Sequence, residues 1–431
     1  MLHKTIFGLA VALILTATSF AQSPKPINVK VLIDSLDRAL FKTYIFPEKS
    51  KIMSDYLKQQ LKKGAYKNIK DPKALAAKIE GDIQSVHHDG HLRLHYDPRF
   101  PKVPPPIRQN TEIDTVALRS EKYNNFGFRT SEILNGNIGY VRFNGFSGMV
   151  EASKPTIVSA FRFVSNTNAL IIDVRGNGGG SPWMVKYICS FFYKERTRLN
   201  DIYDRRADKT MEFWADPADA ENMKLSMPVY ILTSKRTFSA AEDFTYAMQT
   251  NKRAVIVGDT TGGGAHPTGP VYVGQDIVID IPFARSINHI TKTDWEGTGV
   301  RPDVPVAADE ALKKAQEVFF RAQLATAKSE NDKNVAQWCI DALNAHENYG
   351  QDLTTTVLGK YEGSYGRFKV YLKDDALYLD DFIGRTFRLK PISQSLFLGD
   401  DWFQVAFYSE NGKDKMKMSG KPGWVDVMDK E

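Results

Sequence analysis

The chain has 431 residues, of which 42% are hydrophobic and 25% charged, and this composition excludes a disordered or low-complexity protein. The length allows two or three domains with a sizeable core. The net charge of +6 comes from 57 basic and 51 acidic residues spread along the sequence, which argues against a dedicated nucleic-acid surface.

The N-terminus has the pattern of a secretory signal. Lys4 lies in a short positive segment, residues 6–17 are apolar, and residues 19–21 (Ser-Phe-Ala) offer small side chains for cleavage. We therefore expect residues 1–21 to be removed and the protein to be exported, to the periplasm or the medium. No cysteine follows the apolar segment and no other apolar run approaches a membrane span, so neither a lipid anchor nor a transmembrane helix is expected.

Residues 22–100 carry helical periodicity and predict an N-terminal helical bundle. Its amphipathic stretches begin at Val29, Ile52 and Pro72. The bundle ends in an Asp-Gly turn at residues 89–90, after which residues 92–96 alternate as a strand.

Three histidines lie within five positions of this turn, namely His87, His88 and His91. Their density suits a metal site, but the chain has only eight histidines and no cysteine nearby, and the spacing is not the His-x-x-x-His of a zinc helix. We therefore predict no metal site. His91, just after the tight turn, is the best placed of the three to project into a cleft.

Residues 101–135 are Pro-rich at first and predict a linker with the first strands, and residues 136–305 alternate strand and helix patterns, which predicts an α/β core. Two strands of this core end in glycine runs, residues 175–180 (Arg-Gly-Asn-Gly-Gly-Gly) and 259–264 (Asp-Thr-Thr-Gly-Gly-Gly). The first run lacks the Gly-Lys-Ser/Thr of a P-loop and the spacing of a dinucleotide fingerprint. Its backbone N–H groups could hold an anion or a developing oxyanion equally well.

Between the two glycine runs, an apolar strand at residues 228–232 leads to a helix that begins at Ala240, with Ser239 at the junction. An oxyanion formed beside Ser239 would meet unpaired N–H groups and the positive end of the helix dipole. Ser239 also fits an N-cap, with Glu242 three residues on completing a capping box. Taken alone, the cap is the commoner role.

After the core, residues 306–350 return to helical periodicity. Residues 351–431 then alternate in short strands separated by turns. This pattern predicts a C-terminal all-β module, a small barrel or sandwich.

The chain has two cysteines, Cys189 and Cys339. Both lie in apolar segments with a helical pattern. One disulfide and two buried thiols are equally compatible with this pattern.

Four segments together resemble peptidase family S41, the C-terminal-processing and tricorn-type serine peptidases, and most of all its branch with a retinoid-binding-protein-like core and no PDZ domain. They are residues 89–92, 170–180, 237–242 with 258–262, and 297–303. The resemblance covers residues 25–305 and implies a crotonase-like ββα spiral in the α/β core. The stretch between His91 and Ile138 is too short for a PDZ domain.

The resemblance implies that Ser239 is the nucleophile and that the N–H groups of Ala240 and Gly179 form the oxyanion hole. The lysine of the branch with a Ser–Lys dyad would fall at Gly264, so this chain lacks that dyad. The tricorn branch instead implies His91 as general base and Glu296 as the residue that orients it.

One position departs from the tricorn pattern, in which a serine stands directly before the histidine and relays to the glutamate. That position is Gly90 here, so a water or a direct contact would have to link Glu296 to the imidazole. Asp89, His88 and His266 remain as alternative partners.

The sequence thus predicts an exported serine peptidase that needs no cofactor and cleaves a peptide or protein substrate through an acyl-enzyme on Ser239. It makes no prediction of oligomeric state. The alternative is a non-catalytic protein of the same fold that binds apolar ligands or peptides. The missing dyad lysine is compatible with that alternative, whereas the presence of both Ser239 and His91 favours the peptidase.

Overall fold

The computed structural model describes residues 26–102, 114–221, 223–345, 353–400, 403–420 and 424–431. The predicted signal segment and most of the Pro-rich stretch lie outside these residues. Within the described ranges, none of the helices combines the length and the apolar character that crossing a bilayer requires. The chain forms two compact units, an N-terminal unit of the described residues up to 102 with Thr268–Phe283, and a main unit of the remainder.

The regular elements are numbered here in chain order. The helices are α1 (Val29–Thr43), α2 (Pro47–Lys62), α3 (Pro72–Val86), α4 (Thr115–Tyr123), α5 (Val150–Phe163), α6 (Pro182–Cys189), α7 (Ala240–Thr250), α8 (Ala311–Thr326), α9 (Glu330–Leu343) and α10 (Thr355–Leu358). The strands up to the last helix are β1 (Arg93–Tyr96), β2 (Phe128–Leu134), β3 (Ile138–Phe143), β4 (Ala169–Asp173), β5 (Thr197–Arg198), β6 (Asn200–Asp204), β7 (Lys209–Met211), β8 (Trp214–Ala215), β9 (Val229–Thr233), β10 (Ala254–Gly258), β11 (Thr268–Gly274), β12 (Ile277–Pro282), β13 (Ala284–Asn288) and β14 (Val304–Pro305). The remaining strands are β15 (Gly363–Tyr365), β16 (Phe368–Lys373), β17 (Ala376–Asp380), β18 (Thr386–Arg388), β19 (Lys390–Pro391), β20 (Leu396–Asp400), β21 (Phe403–Glu410), β22 (Lys413–Gly420) and β23 (Trp424–Asp429).

Helices α1 to α3 form in the N-terminal unit because their sequences combine an apolar stripe with start signals. In α1, Leu32, Leu36 and Leu40 recur at helical spacing and are fully buried. Helix α3 begins with a proline, and the Asp71 side chain before it accepts the Ala74 N–H at 2.9 Å. Local pattern therefore accounts for these helices.

A three-stranded antiparallel sheet of order β1-β12-β11 completes the N-terminal unit. Strands β11 and β12 join through Gln275 and Asp276, which both have positive φ, as a tight two-residue hairpin turn requires. Strand β1 pairs with β12, with Arg93 opposite Asp280. The hairpin lies within the segment predicted as the α/β core, yet it belongs to the compact N-terminal unit.

The main unit is built on a six-stranded sheet of order β14-β10-β9-β4-β3-β2, in which only the β2–β3 pair is antiparallel. Every residue of β4 and β9 is buried, as expected for apolar central strands of a parallel sheet. Because β4 and β9 are parallel neighbours, the chain leaves both at the same edge. The first glycine run and the Ser239 junction therefore lie side by side.

Helices cover this sheet and bury its apolar side chains. One core contains Ile171 and Leu232 of the central strands together with Phe319 of α8 and Trp338 of α9. A second set is aromatic, with ring centroids of Phe161 and Phe191 5.2 Å apart. Full burial of a large apolar side chain contributes roughly 1.5–3 kcal/mol. The unit is thus a mixed α/β structure. It also contains two small antiparallel sheets, β13-β6-β7 and β5-β8.

The last strands form two antiparallel sheets, one of order β15-β16-β17-β18 and one of order β19-β20-β21-β22-β23. Their inward side chains form a separate core that includes Leu379, Phe397 and Val405. Gln404 Nε2 donates to the Trp338 carbonyl at 3.0 Å and so connects the larger sheet to α9.

Candidate active site

Ser239 lies where the segment after β9 turns into α7, and its backbone is unusual. Its φ of 54° and ψ of −121° are uncommon for a residue with a side chain and cost on the order of 1–3 kcal/mol. The surroundings hold it there, because its N–H donates to Glu242 Oε2 at 2.9 Å and its carbonyl accepts the N–H groups of Glu242 and Asp243 at 2.8 and 2.9 Å. A strained strand-to-helix turn of this kind presents a hydroxyl at the sheet edge.

Ala240, the first residue of α7, contributes a backbone donor next to Ser239. The following N–H groups, of Ala241 and Glu242, donate to the carbonyls of Phe238 and Ser239. In the described part of the chain, no acceptor is found for the Ala240 N–H. It is therefore available to a ligand at the positive end of the helix.

Gly179 lies directly against Ser239. A Cβ at Gly179 would stand 2.8 Å from both Ser239 Cβ and the Phe238 carbonyl oxygen, and φ there is +103°, so only glycine permits this approach. Side-chain hydroxyls also tie the two loops together, because Ser234 Oγ donates to the Arg175 carbonyl at 2.6 Å. The structure thus brings the predicted nucleophile and both predicted oxyanion residues to one place.

The Gly179 N–H is already engaged, by a residue that the sequence analysis did not single out. It donates to Asn177 Oδ1 at 2.9 Å, while Asn177 Nδ2 donates to the Phe143 carbonyl at 3.1 Å. Asn177 is fully buried, and its carbonyl accepts the Phe238 N–H at 3.1 Å. An oxyanion at Gly179 would therefore share this N–H with Asn177 or displace its side chain.

Glu242 is a second residue whose full role was missed. Its fully buried carboxylate accepts the N–H groups of Ser239 and Gly264 on one oxygen, at 2.9 and 2.8 Å. The other oxygen accepts Thr261 Oγ1 at 2.5 Å and the Gly263 N–H at 2.6 Å. Burial raises the pKa of Glu242 even though these bonds favour the charged form. An acid three residues after the serine was the available signal, but it indicated only a helix cap.

Gly264 is the position at which the resemblance places the dyad lysine, and the partly exposed Phe238 ring lies over it. A Cβ built there would collide with the Phe238 ring. A side chain at Gly264 would therefore require the Phe238 ring to move.

Glu296 lies in the main unit beside this same glycine run. Its Oε2 accepts the Ala265 N–H at 2.7 Å and stands 3.6 Å from Nδ1 of the buried His266. Asp294 Oδ2 lies 3.7 Å from the other nitrogen of that ring. Burial alone would raise the pKa of Asp294, but hydrogen bonding to His266 lowers it. His266 thus has a carboxylate on each side.

His91 belongs to the N-terminal unit and lies in the turn before β1. Its backbone N–H donates to Asp89 Oδ1 at 2.9 Å, and its ring nitrogen Nδ1 stands 3.3 Å from the same oxygen. About a fifth of the side chain is exposed. The nearest carboxylate within its own unit is therefore Asp89, one of the alternative partners.

A cavity of about 510 Å³ lies between the start of α5 and the start of α6, which follow residues 144–149 and 175–181. These segments pair through the Phe146 N–H, which donates to the Gly179 carbonyl at 2.8 Å. The apolar part of the wall is formed by Met149, Val150, Trp183 and Tyr187. The charged lining residues neutralise one another in two ion pairs, Lys154–Glu151 and Lys186–Asp219. An uncharged apolar side chain suits such a cavity.

Comparison with known proteins identifies relatives of this chain. The model of peptidase family S41 matches residues 137–306, and the model described as the N-terminal domain of Peptidase S41 in eukaryotic IRBP matches residues 27–125. The chain is 27% identical over 191 residues to carboxyl-terminal-processing peptidase 2, chloroplastic, of Arabidopsis thaliana, which is 42% of this chain and 34% of that protein.

Two further similar proteins are a bacterial protease and a protease whose structure has been solved. The carboxy-terminal processing protease CtpB of Bacillus subtilis is 30% identical over 134 residues, 31% of this chain and 26% of its own. The solved photosystem II D1 C-terminal processing protease has a TM-score of 0.43 and 16% identity, with 66% of this chain and 94% of that chain covered.

The chain spans about a third of the length of the curated relatives it matches. The two family models, however, match separate segments that together make up more than half of its 431 residues. The protein therefore belongs to peptidase family S41.

Proposed function

We propose that the protein is a serine peptidase that hydrolyses peptide bonds through an acyl-enzyme on Ser239. The observation that carries the proposal is the strained Ser239 turn, packed against Gly179 and followed by the open N–H of Ala240. A merely structural cap has no need of a positive φ or of a glycine pressed against the serine. Membership of family S41 supports the same chemistry.

In the proposed reaction Ser239 Oγ attacks the carbonyl carbon of the substrate while His91 accepts the hydroxyl proton. The carbonyl oxygen becomes an oxyanion that the N–H groups of Ala240 and Gly179 stabilise. The imidazolium then gives its proton to the leaving amine as the carbon–nitrogen bond breaks. A water molecule, deprotonated by the same imidazole, releases the acid product and restores Ser239. Glu296 is proposed to stabilise the imidazolium charge.

The finer features of the fold and location belong to the same proposal. The α/β core, residues 136–305, is proposed to be a crotonase-like ββα spiral, flanked by an N-terminal helical bundle and a C-terminal all-β module. We also propose that the protein is exported, on the basis of residues 1–21. The substrate is a peptide or protein, and the neutral apolar cavity beside the first glycine run suits an apolar side chain of that substrate.

One second candidate, a non-catalytic binder of apolar ligands or peptides, is favoured by a specific observation. The Gly179 N–H is bonded to Asn177 in this structure, so one of the two proposed oxyanion donors is occupied. A binder would keep this bond, whereas the peptidase must loosen it during turnover.

Labelling with an active-site-directed phosphonate separates the two functions. A peptidase forms a covalent adduct on Ser239, located by mass spectrometry of the peptides, and the adduct is lost in Ser239→Ala and His91→Ala. The matched controls are Ser120→Ala and His95→Ala, which change exposed residues. Folded protein that forms no adduct would favour the binder.

A further inference from the structure

We propose that Asp89, held in place by Tyr44, is the positioning residue that orients the imidazole of His91. This inference rests on the proposed function, in which His91 is the general base. It assigns to the N-terminal unit a complete supporting network for the histidine, independent of the role proposed for Glu296.

The Asp89 carboxylate is divided between two neighbours. Oδ1 accepts the backbone N–H of His91 at 2.9 Å and lies 3.3 Å from the ring nitrogen Nδ1 of His91. Oδ2 accepts the Tyr44 hydroxyl at 2.7 Å. Asp89 is 9% exposed and Tyr44 is fully buried. The carboxylate is therefore withdrawn from bulk water and faces the ring nitrogen that a general base does not use when Nε2 accepts the proton.

The backbone of Asp89 is also fixed. The Gln84 side chain receives the Asp89 N–H on Oε1 at 3.0 Å and donates through Nε2 to the carbonyls of Asp89 and Leu92, at 2.8 and 3.0 Å. Gln84 lies on α3, so the turn is anchored to a helix. Gln84 thus fixes the backbone of the turn, while the Tyr44 hydroxyl and the His91 backbone N–H hold the carboxylate itself.

The number of available protons gives the network a direction. Tyr44 has one hydroxyl hydrogen and donates it to Asp89, which as a carboxylate can only accept. His87 Nε2 lies 2.7 Å from the same hydroxyl, so it must be the donor in that contact. Burial lowers the pKa of His87 and so favours the neutral ring, and the contact with Tyr44 places the ring hydrogen on Nε2. The chain His87 to Tyr44 to Asp89 is thus polarised toward the carboxylate.

The charge of Asp89 persists throughout the pH range in which a histidine base works. Burial alone would raise its pKa, but hydrogen bonds from His91 and Tyr44 lower it to about 2. With a carboxylate on this side, the neutral imidazole carries its hydrogen on Nδ1 and leaves the Nε2 lone pair to accept a proton. The same negative charge stabilises the imidazolium that forms during attack.

The experiment measures phosphonate inactivation of the full chain and separates the maximal rate, kinact, from the binding constant, KI. We expect Asp89→Asn to lower kinact by about 10²-fold or more with KI nearly unchanged, because the wrong tautomer is costly in such sites. Tyr44→Phe should lower kinact by a smaller factor and add nothing in the Asp89→Asn background, because the two residues act through one contact.

The chain offers a matched control in the same unit. Tyr66 donates its hydroxyl to Asp82 Oδ2 at 2.8 Å, and both residues are buried. Tyr66→Phe and Asp82→Asn remove the same kind of bond away from the histidine turn. They should lower Tm to a similar degree without lowering kinact.

Each outcome decides the inference. If His91→Ala abolishes inactivation while Asp89→Asn keeps kinact within about threefold, Asp89 is not the positioning residue and the peptidase assignment still stands. If the wild type forms no adduct, both proposals fall. If the wild type is labelled on Ser239 and His91→Ala reacts normally, His91 is not the base and the inference about Asp89 falls, while the nucleophile assignment stands. If Asp89→Asn does not fold, Tyr44→Phe decides, and a kinact equal to that of Tyr66→Phe overturns the inference.

Discussion

Glu242 connects the turn that carries Ser239 with the second glycine run through a single buried carboxylate. It bonds the Ser239 N–H on one side and Thr261, Gly263 and Gly264 on the other. The capping half of this role could be predicted, because the spacing of three residues is local. The contacts with residues 261–264 could not, because they join segments that meet only after β9 and β10 have paired.

We predict that Glu242→Gln lowers the rate of Ser239 acylation by roughly 10²-fold and the free energy of unfolding by about 1–3 kcal/mol. The amide NH₂ of Gln would face backbone N–H groups, so at least one buried donor loses its acceptor. Phosphonate labelling kinetics and thermal unfolding measure the two effects. Glu330→Gln, on an exposed residue of α9, is the control. A variant with normal labelling would show that the Ser239 turn does not depend on this carboxylate.

The neighbouring Asp243 should make stability depend on pH. Burial raises its pKa from 3.8 to about 7, and its carboxyl receives one hydrogen bond, from Asn200 Nδ2. Because the folded-state pKa is the higher one, the folded protein binds more protons than the unfolded chain between about pH 4 and 7. Its stability therefore falls as pH rises through this window.

Asp243→Asn cannot ionise and should escape this loss. We expect its gain in free energy of unfolding over the wild type to be small near pH 4 and to reach on the order of 4 kcal/mol at pH 8. Urea unfolding at several pH values measures the difference. Asp55→Asn, at an exposed carboxylate, should show no such trend. A gain that is equal at both pH values would contradict the buried-acid explanation.

At the scale of elements, the first glycine run works as a backbone surface between β4 and α6. Its sequence indicated a loop with close backbone approach but did not indicate what approaches it. The partner is Ser239, because β4 and β9 are adjacent in the sheet. A strand order is a non-local property, and for this reason the contact appears only in the folded chain.

Two adjacent glycines provide a controlled test of this surface. Gly179→Ala should abolish labelling and destabilise the protein by about 1–3 kcal/mol, because a Cβ would press on Ser239 and φ is +103°. Gly178→Ala should be close to neutral, because nothing lies within 4 Å of its Cβ position. Labelling and Tm of both variants are the measurements. Equal behaviour of the two variants would refute the proposed packing.

The cavity between α5 and α6 should affect which substrates bind. We expect Trp183→Ala to raise KM for peptides with a large apolar side chain by roughly tenfold, because much of the apolar wall is lost, while kcat changes little. Peptides in which a serine replaces that side chain should be affected less. Steady-state kinetics on such a peptide pair measure this. A uniform loss on both peptides would place the substrate side chain elsewhere.

At the scale of the whole molecule, both cysteines are buried thiols in the main unit, Cys189 in α6 and Cys339 in α9. Burial raises the pKa of the Cys189 thiol well above its usual range. We therefore predict that the native protein does not react with a thiol reagent, that the denatured protein shows two thiols, and that reductant leaves Tm unchanged. A single thiol equivalent or a reductant-sensitive Tm would be evidence for a disulfide.

The sequence by itself determined the local features of this protein. Apolar periodicity placed helices α1 to α3, runs such as that of β4 and β9 marked the buried strands, and the junction at Ser239 followed from one strand ending where one helix begins. The four segments that resemble peptidase family S41 are also short motifs. All of these depend on residues within a few positions of one another, so pattern and propensity suffice to detect them.

Only the tertiary structure decided which distant groups meet. Gly179 against Ser239, Glu242 on the second glycine run, the hairpin of β11 and β12 with β1, and Tyr44 on Asp89 all join groups that no local pattern connects. A buried polar group must find a partner wherever the fold supplies one, and a short strand must pair with whichever edge is adjacent. Both choices depend on sheet order and helix packing, which become defined only when the chain has folded.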